Sequence, residues 1–274
     1  MNVRRAFLGP AGTFTEEALL SLGTDGVEPV PCATIGEVFA AVASGDCADG
    51  VVPIENSVEG SVNETLDSLA FDHELHVTAE FVRDIHHALV VAPGVGLDDV
   101  AAVVSKPEAT AQCRAWLAAN LPGRATEAAN STAEAVQRAV AEPGLGAIGT
   151  SLAARLYGGT VLEEGIEDFA GNQTRFVVIG RGIGARTGHD KTSLALFMQR
   201  NKPGALLMIL SEFAYGQIDL TKIQSRPTKK QLGQYMFFVD LEGHVSDPQV
   251  ALALECLRLK LREVKVLGSY PRAS

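Results

Sequence analysis

The sequence predicts an α/β protein with parallel sheets, followed by a smaller ferredoxin-like βαββαβ unit. Three observations predict it. From Val3 to Gly180 short apolar strands alternate with helices of about 10 residues, the pattern of parallel sheets covered by helices. Residues 181–190, RGIGARTGHD, carry three glycines and no apolar periodicity, and read as a linker. Beyond them the order becomes strand, helix, two strands, helix and strand over about 80 residues.

Composition narrows the classes of function. Of 274 residues, 46% are apolar and 20% charged, which suits about two domains with ordinary cores. The net charge of −10 argues against wholesale binding of nucleic acid or an anionic membrane. An anionic substrate then needs local positive charge or backbone amides. Cys32, Cys47, Cys113 and Cys256 lie far apart without a CxxC pair. Neither a zinc site of common spacing nor a disulfide framework is expected, and a reducing compartment is. The start, MNVRRAFLGPAG, is too short in apolar residues for a signal, and no run approaches a membrane span. A soluble cytoplasmic protein is expected.

Each element has its own warrant. Residues 3–8 form a strand ending at Gly9-Pro10, and Thr15-Glu16-Glu17 opens a helix towards Leu22. Thr34 with Glu37 is a capping box for a helix to Ser44. A buried strand at 50–52 breaks at Pro53, and Ser61 with Glu64 forms a second box opening a helix. Residues 78–85 and 88–92 are extended, with a polar bend at His86-His87. A strand at 101–104 leads to Pro107, in the first turn of a helix running through Trp116 to Ala119. A short strand at 124–128 and a helix capped by Ser131 and Glu134 follow. Strand 145–148, helix 151–157 and strands 161–162 and 174–180 complete the first part. After the linker come strand 192–198, helix 204–215, strands 219–224 and 235–241, helix 248–261 and strand 264–267.

Four loops place polar side chains at strand ends, where open α/β sheets put ligands. Residues 51–67, VVPIENSVEGSVNETLD, set Glu55, Asn56 and Ser57 in a row; spacing alone fits a polar connection equally well. Gly9, Pro10, Ala11, Gly12 and Thr13 lie between a strand and a helix. Glycine admits close backbone approach and helix-start N–H groups favour anions, though a tight βα turn looks the same and the lysine of a phosphate loop is missing. Ser105-Lys106-Pro107-Glu108 precedes a helix carrying Gln112, and a solvated helix start is the plain alternative. Gly171-Asn172-Gln173-Thr174-Arg175-Phe176 runs from polar loop into apolar strand. There the Arg175 guanidinium can clamp a carboxylate in bidentate fashion and Thr174 can donate a hydrogen bond; an edge-strand arginine beside a β-prone threonine is the alternative. His86-His87 has no partner at metal-ligand spacing. These loops hold no catalytic-looking His or Cys, and suit binding a polyanion and donating or orienting a proton, not covalent catalysis through a thiolate.

GPAGTFTEEA, VVPIENSVEGSVNETLD, SKPEATAQC and IEDFAGNQTRFVVIG, in this order and spacing, resemble prephenate dehydratase. NKPGALL and KIQSRPTKK in the tail resemble the two signatures of the ACT regulatory domain attached to that enzyme. The resemblance covers the chain from Val3 to Pro271. It implies a catalytic domain over 1–182, built as two periplasmic-binding-protein-like lobes (about 1–77 with 166–182, and 78–165) around a cleft, and an ACT domain over 191–270. It implies conversion of prephenate to phenylpyruvate on the way to L-phenylalanine, without metal or coenzyme. By that resemblance Thr174 acts as general acid. Arg175 and the amides of 9–13 hold carboxylates, while Asn56, Ser57, Ser105 and Gln112 orient the substrate. Glu55 positions its neighbours, and Phe176 shields the catalytic strand. L-Phenylalanine is the implied effector, at Asn201, Gly204, Ala205, Leu206, Asp219, Gln224, Ser225, Arg226 and Pro227, commonly across a dimer interface; a dimer or tetramer is expected.

Departures from the family pattern bear on the effector more than on catalysis. Lys106-Pro107-Glu108 stands where the family usually has His-Pro-Gln, leaving Ser105 and Gln112 in place. Gln224 replaces the usual Glu and loses a charge, and Asp219 replaces Asn. Met1 begins two residues before the first strand, so no chorismate mutase segment is expected ahead of it. Two other functions stay open from sequence: arogenate as substrate, and non-catalytic binding of a small anion.

Overall fold

A computed structural model describes residues 2–23, 25–199, 203–229 and 234–273. Along the chain it forms β1 (Val3–Leu8), α1 (Phe14–Ser21), β2 (Val27–Cys32), α2 (Ile35–Ser44), β3 (Asp49–Asn56), β4 (Gly60–Ser61), α3 (Asn63–Asp67), β5 (His76–Asp84) and β6 (Ala88–Val91). Then come β7 (Ala102–Ser105), α4 (Pro107–Gln112), α5 (Arg114–Asn120), β8 (Ala125–Ala128), α6 (Thr132–Ala141), β9 (Leu145–Gly149), α7 (Ser151–Tyr157), β10 (Thr160–Glu164) and β11 (Gln173–Gly180). The last part is β12 (Asp190–Phe197), α8 (Ala205–Tyr215), β13 (Leu220–Pro227), β14 (Tyr235–Glu242), α9 (Pro248–Lys260) and β15 (Glu263–Pro271). Packing divides the chain into one unit of residues 1–62 with 82–176 and another of 63–81 with 177–274.

The first unit holds two sheets. In one, β1 lies between β2 and β3, parallel to both, and the short β4 turns back antiparallel on β3. Its helices start where local chemistry starts them. Thr34 Oγ1 accepts from the Glu37 N–H as N-cap, while the Glu37 carboxylate takes the N–H of Ala33, one residue before the cap. The other sheet has the order β10-β6-β9-β7-β8. It is mixed, not parallel throughout as the strand–helix alternation predicts: β7 runs parallel to β8 and β9, whereas β6 is antiparallel to β9 and β10. Both its faces are covered. Val90 and Val104 pack with Val136 and Ala147 on one side, and Leu89, Val91 and Val103 with Ile148 and Cys113 on the other.

In the second unit β13-β14-β12-β15 form an antiparallel sheet, with β5 parallel beside β15. Helices α8 and α9 bury Ile209, Phe213, Leu254 and Leu257 against Leu194, Leu196, Val239 and Leu241. The element order is the βαββαβ of the sequence pattern.

Four local expectations need correction, and one strand, Val27–Cys32, was not among those expected. The strand through Pro53 does not break but runs on to Asn56, although its pairing with β1 ends at Val51. The helix after it opens at Asn63, one residue later than a Ser61 cap requires, and Ser61 lies in β4 instead. The helix from Pro107 is interrupted at Cys113, where φ −117 and ψ 18 leave the helical region. Val27–Cys32 is a strand despite Pro29 and Pro31, which sit on the outermost strand of its sheet. His86-His87 is only half a polar bend: His86 is exposed, while His87 is buried.

Candidate active site

Two neighbouring strand ends set the centre of the first unit. β3 delivers Glu55 and Asn56, and β11 delivers Thr174 and Arg175. The Ser57 N–H donates to the Gln173 carbonyl at 2.8 Å, which ties the two ends together. The side chain of Asn56 is oriented by groups that can only donate. Its Oδ1 accepts the Val58 and Glu59 N–H groups, both at 2.9 Å. Its amide NH2 therefore points the other way, donating to Thr174 Oγ1 at 2.9 Å and to Asn172 Oδ1 at 2.8 Å. Thr174 Oγ1 thus accepts from Asn56.

A ring continues from there. Asn172 Nδ2 donates to Gln112 Oε1 at 2.9 Å, and Gln112 Nε2 donates to Glu59 Oε1 at 3.0 Å. Glu59 closes it through the N–H it gives to Asn56. The four side chains come from β3, the loop before β11, α4 and the β3–β4 turn, so the ring joins both sheets of the unit. His87 Nε2 lies 3.0 Å from Gln112 Oε1 at its edge.

Charge sits beside the ring. Arg175 Nε lies 3.8 Å from Glu55 Oε2, with the guanidinium largely buried and the carboxylate about a third exposed. Phe176, one residue on, is buried. His86 Nδ1 and Glu167 Oε1 pair at 2.8 Å, and Glu167 Oε2 accepts the His87 N–H. The hydrogen bond to Glu167 holds His86 above its usual pKa, against the weaker pull of burial. Burial would raise Glu167, but the bonds from His86 and His87 outweigh it and hold this carboxyl low.

The 9–13 loop is anchored through its carbonyls. Thr150 Oγ1 donates to the Gly12 carbonyl at 2.7 Å and the Tyr157 hydroxyl donates to that of Ala11 at 2.7 Å. Gly12 takes φ +87, and a Cβ there would stand 2.9 Å from Ala153 Cβ; only glycine fits this approach. Of the amides expected to hold carboxylates, that of Gly9 donates to the Cys32 carbonyl and that of Gly12 to Glu16 Oε2. Ser105 is fully buried and its hydroxyl donates to the Ile148 carbonyl at 2.6 Å, outside the ring. Ser57 Oγ accepts the Gln173 N–H.

Sequence reasoning named Asn56, Thr174 and Gln112 but missed Glu59, Asn172 and His87. A signal for His87 existed. It falls in phase with Ile85 and Leu89, both buried, at the period of a strand.

The residues expected around an effector lie in the second unit and divide between two faces. Gly204, Ala205, Leu206 and Ser225 line a concavity of about 500 Å³ with Tyr235 and Phe237. Gln224 and Arg226, one step either side of Ser225 on β13, belong to the opposite face. Asn201 lies outside the described residues. Among the described residues no group of His, Cys, Asp and Glu is arranged to hold a metal, and no helix is long and apolar enough to cross a membrane.

The family model for prephenate dehydratase matches residues 5–183. The chain belongs to the prephenate dehydratase family. A prephenate dehydratase from Mycolicibacterium vanbaalenii is 43% identical over 282 residues, spanning 97% of this chain and 90% of that protein. The crystal structure of prephenate dehydratase from Arthrobacter aurescens in complex with L-Phe superposes with a TM-score of 0.91 at 38% identity, over 98% of this chain and 90% of that one. The structure of GqqA, described as a novel type of quorum quenching acylase, superposes at 0.87 with 28% identity, over 99% and 98%. The chain is thus an enzyme of the prephenate dehydratase family, whose reaction serves phenylalanine biosynthesis.

Proposed function

We propose that this chain converts prephenate to phenylpyruvate at the Asn56–Thr174 site, and that L-phenylalanine controls it through an ACT domain formed by residues 191–270. The observation that carries the catalytic reading is the aim of Thr174. Its oxygen accepts a hydrogen bond from an Asn56 amide whose orientation is fixed by the Val58 and Glu59 N–H groups. The hydroxyl proton is therefore left to be given to a substrate, and the accepted bond stabilises charge building on the oxygen.

The reaction follows from that aim. The bond to the ring carboxylate breaks and its electron pair enters the ring, which becomes aromatic. The ring hydroxyl departs with its bonding pair, takes the proton from Thr174 Oγ1 and leaves as water; carbon dioxide is the other product. A threonine is a weak acid, so transfer comes late, as the oxygen leaves. Arg175 would grip a substrate carboxylate as a two-pronged fork, with the Glu55 carboxylate 3.8 Å from its Nε. Gln112 and Asn172 keep Asn56 in place from across the ring, and Phe176 packs behind the strand. Loop 9–13 would border the substrate through whichever of its groups the fold has not used.

The regulatory reading is supported by the βαββαβ order, the NKPGALL and QSRP signatures, and the concavity beside Ser225. The Arthrobacter relative was solved with L-Phe. Self-association as a dimer or tetramer belongs to the same reading.

One set of assays tests both halves. The purified chain is given prephenate or arogenate, each with and without L-phenylalanine, and phenylpyruvate is followed in the ultraviolet. Turnover of prephenate, inhibited by phenylalanine, is expected. Thr174→Val should lower kcat by at least about 100-fold with the fold intact. Near-normal turnover in that variant removes Thr174 from the chemistry; binding without turnover in the wild type leaves an anion receptor.

A further inference from the structure

His87 is 2% exposed. An imidazole taken out of water costs free energy unless its polar atoms are matched, yet Nδ1 has no hydrogen-bond partner among the described residues. One ring contact is the edge-on approach of Phe14, with centroids 5.2 Å apart. One polar side-chain contact remains, from Nε2 to Gln112 Oε1 at 3.0 Å. A histidine placed for packing alone would be served as well by leucine.

The direction of that contact is set by its neighbours. The Glu59 carboxylate can only accept, so the Gln112 NH2 faces it and Gln112 Oε1 faces the other way. That oxygen receives the Asn172 amide on one side. On the other side it requires a donor, so His87 carries its proton on Nε2. Burial pushes the His87 pKa down, which keeps the ring neutral and Nδ1 bare near pH 7. Were Gln112 to turn over, its NH2 would meet two donors, Asn172 and His87. Without His87 the turn is opposed by Glu59 and by the single donor Asn172, so Gln112 holds its orientation less firmly and, through Asn172, so does the bond that steadies the Asn56 amide beside Thr174.

We propose that His87 is a positioning residue for the reaction: by donating from Nε2 to Gln112 it reinforces the amide sense that Glu59 sets in the Asn56–Asn172–Gln112–Glu59 ring and so steadies the Asn56 amide beside Thr174. The inference rests on the reading of Thr174 as proton donor. It gives His87 no contact with substrate, so its loss acts on kcat and not on affinity.

The test compares His87→Leu, which has no donor, with His87→Gln, whose Nε2 can take the place of the imidazole N–H. Melting temperature, kcat and KM are measured for both with prephenate. His87→Leu should lower kcat about tenfold, the scale of one lost hydrogen bond, while KM moves less than about threefold; His87→Gln should recover most of kcat. Unchanged kcat in the leucine variant, or equal loss in both variants at wild-type melting temperature, overturns the proposal. A second measurement needs no variant: nitrogen-15 NMR of histidine-labelled wild type should find His87 as the Nε2–H tautomer. An Nδ1–H tautomer overturns the proposal even if His87→Leu fails to fold. If the wild type does not turn over prephenate, the proposed function fails instead, and the tautomer still decides the ring.

Discussion

Arg226 grips Asp67 with both prongs of its guanidinium, Nε to Oδ1 at 2.6 Å and Nη2 to Oδ2 at 2.5 Å. Lys229 adds a third contact, Nζ to Oδ2 at 2.6 Å. Burial would raise the Asp67 pKa, but the hydrogen bonds from Arg226 and Lys229 outweigh it and hold the carboxyl low. The arginine belongs to the QSRP signature, and the aspartate ends α3, eight residues after Glu59 of the ring. A strand expected to respond to an effector is therefore clamped to a helix that follows directly on the candidate site.

Breaking that clamp should separate regulation from catalysis. Asp67→Asn leaves Arg226 and Lys229 side by side with no anion, and should cost about 2 kcal/mol of stability. Basal kcat for prephenate should stay within about threefold of wild type, since Asp67 is outside the ring, while the phenylalanine concentration for half-inhibition should move severalfold. Calorimetry and an inhibition curve read the two effects. An unaltered curve means that the pair is only structural.

Gly12 offers a different kind of test, of backbone and close packing. At φ +87 an alanine is strained, and its Cβ would meet Ala153 Cβ at 2.9 Å and Ala153 Cα at 3.0 Å. Gly12→Ala should cost about 2 kcal/mol or more. It should also loosen the bond from Thr150 to the Gly12 carbonyl, which joins the loop to the start of α7. A melting temperature equal to wild type would show that the loop shifts without cost. Gly23, also at positive φ but with nothing within 4 Å, should tolerate alanine better and serves as the comparison.

What could be read from sequence was local. Thr34 with Glu37 and Ser131 with Glu134 cap helices because both partners lie within one turn, and the structure shows both caps. β2 escaped notice because Pro29 and Pro31 argue against a central strand, and the strand is an outermost one. The loops of the site were legible as polar strand ends, so Asn56, Thr174 and Gln112 could be named. The ring that binds them could not. Asn56 and Thr174 are 118 residues apart, Gln112 and Asn172 60, and His87 and Gln112 25. No local pattern encodes which amide turns towards which, because that is decided by donors brought together only in the folded chain.

The last prediction concerns pH, where two adjacent histidines act in opposite directions. His86 is raised by its hydrogen bond to Glu167, so the stability it contributes is fully present below its unfolded pKa of about 6.5 and is lost as pH rises through the higher folded value. His87 is lowered by burial, so the folded state binds its proton less well than the unfolded chain. Its effect is therefore absent above about pH 6.5 and becomes a loss of stability as pH falls towards the lower folded value. Together they place a stability maximum near the ordinary histidine range. His86→Gln should remove the decline on the alkaline side and leave the acid side standing; His87→Gln should do the reverse. Melting temperatures from pH 5 to 9 for the three proteins separate the two terms. Parallel curves would mean that neither histidine changes its proton affinity on folding. The acid limb should also appear in kcat, because a protonated His87 places a second N–H on Nδ1 with no acceptor beside it. His86 is mostly exposed and should affect kcat only through Glu167, which holds the His87 backbone.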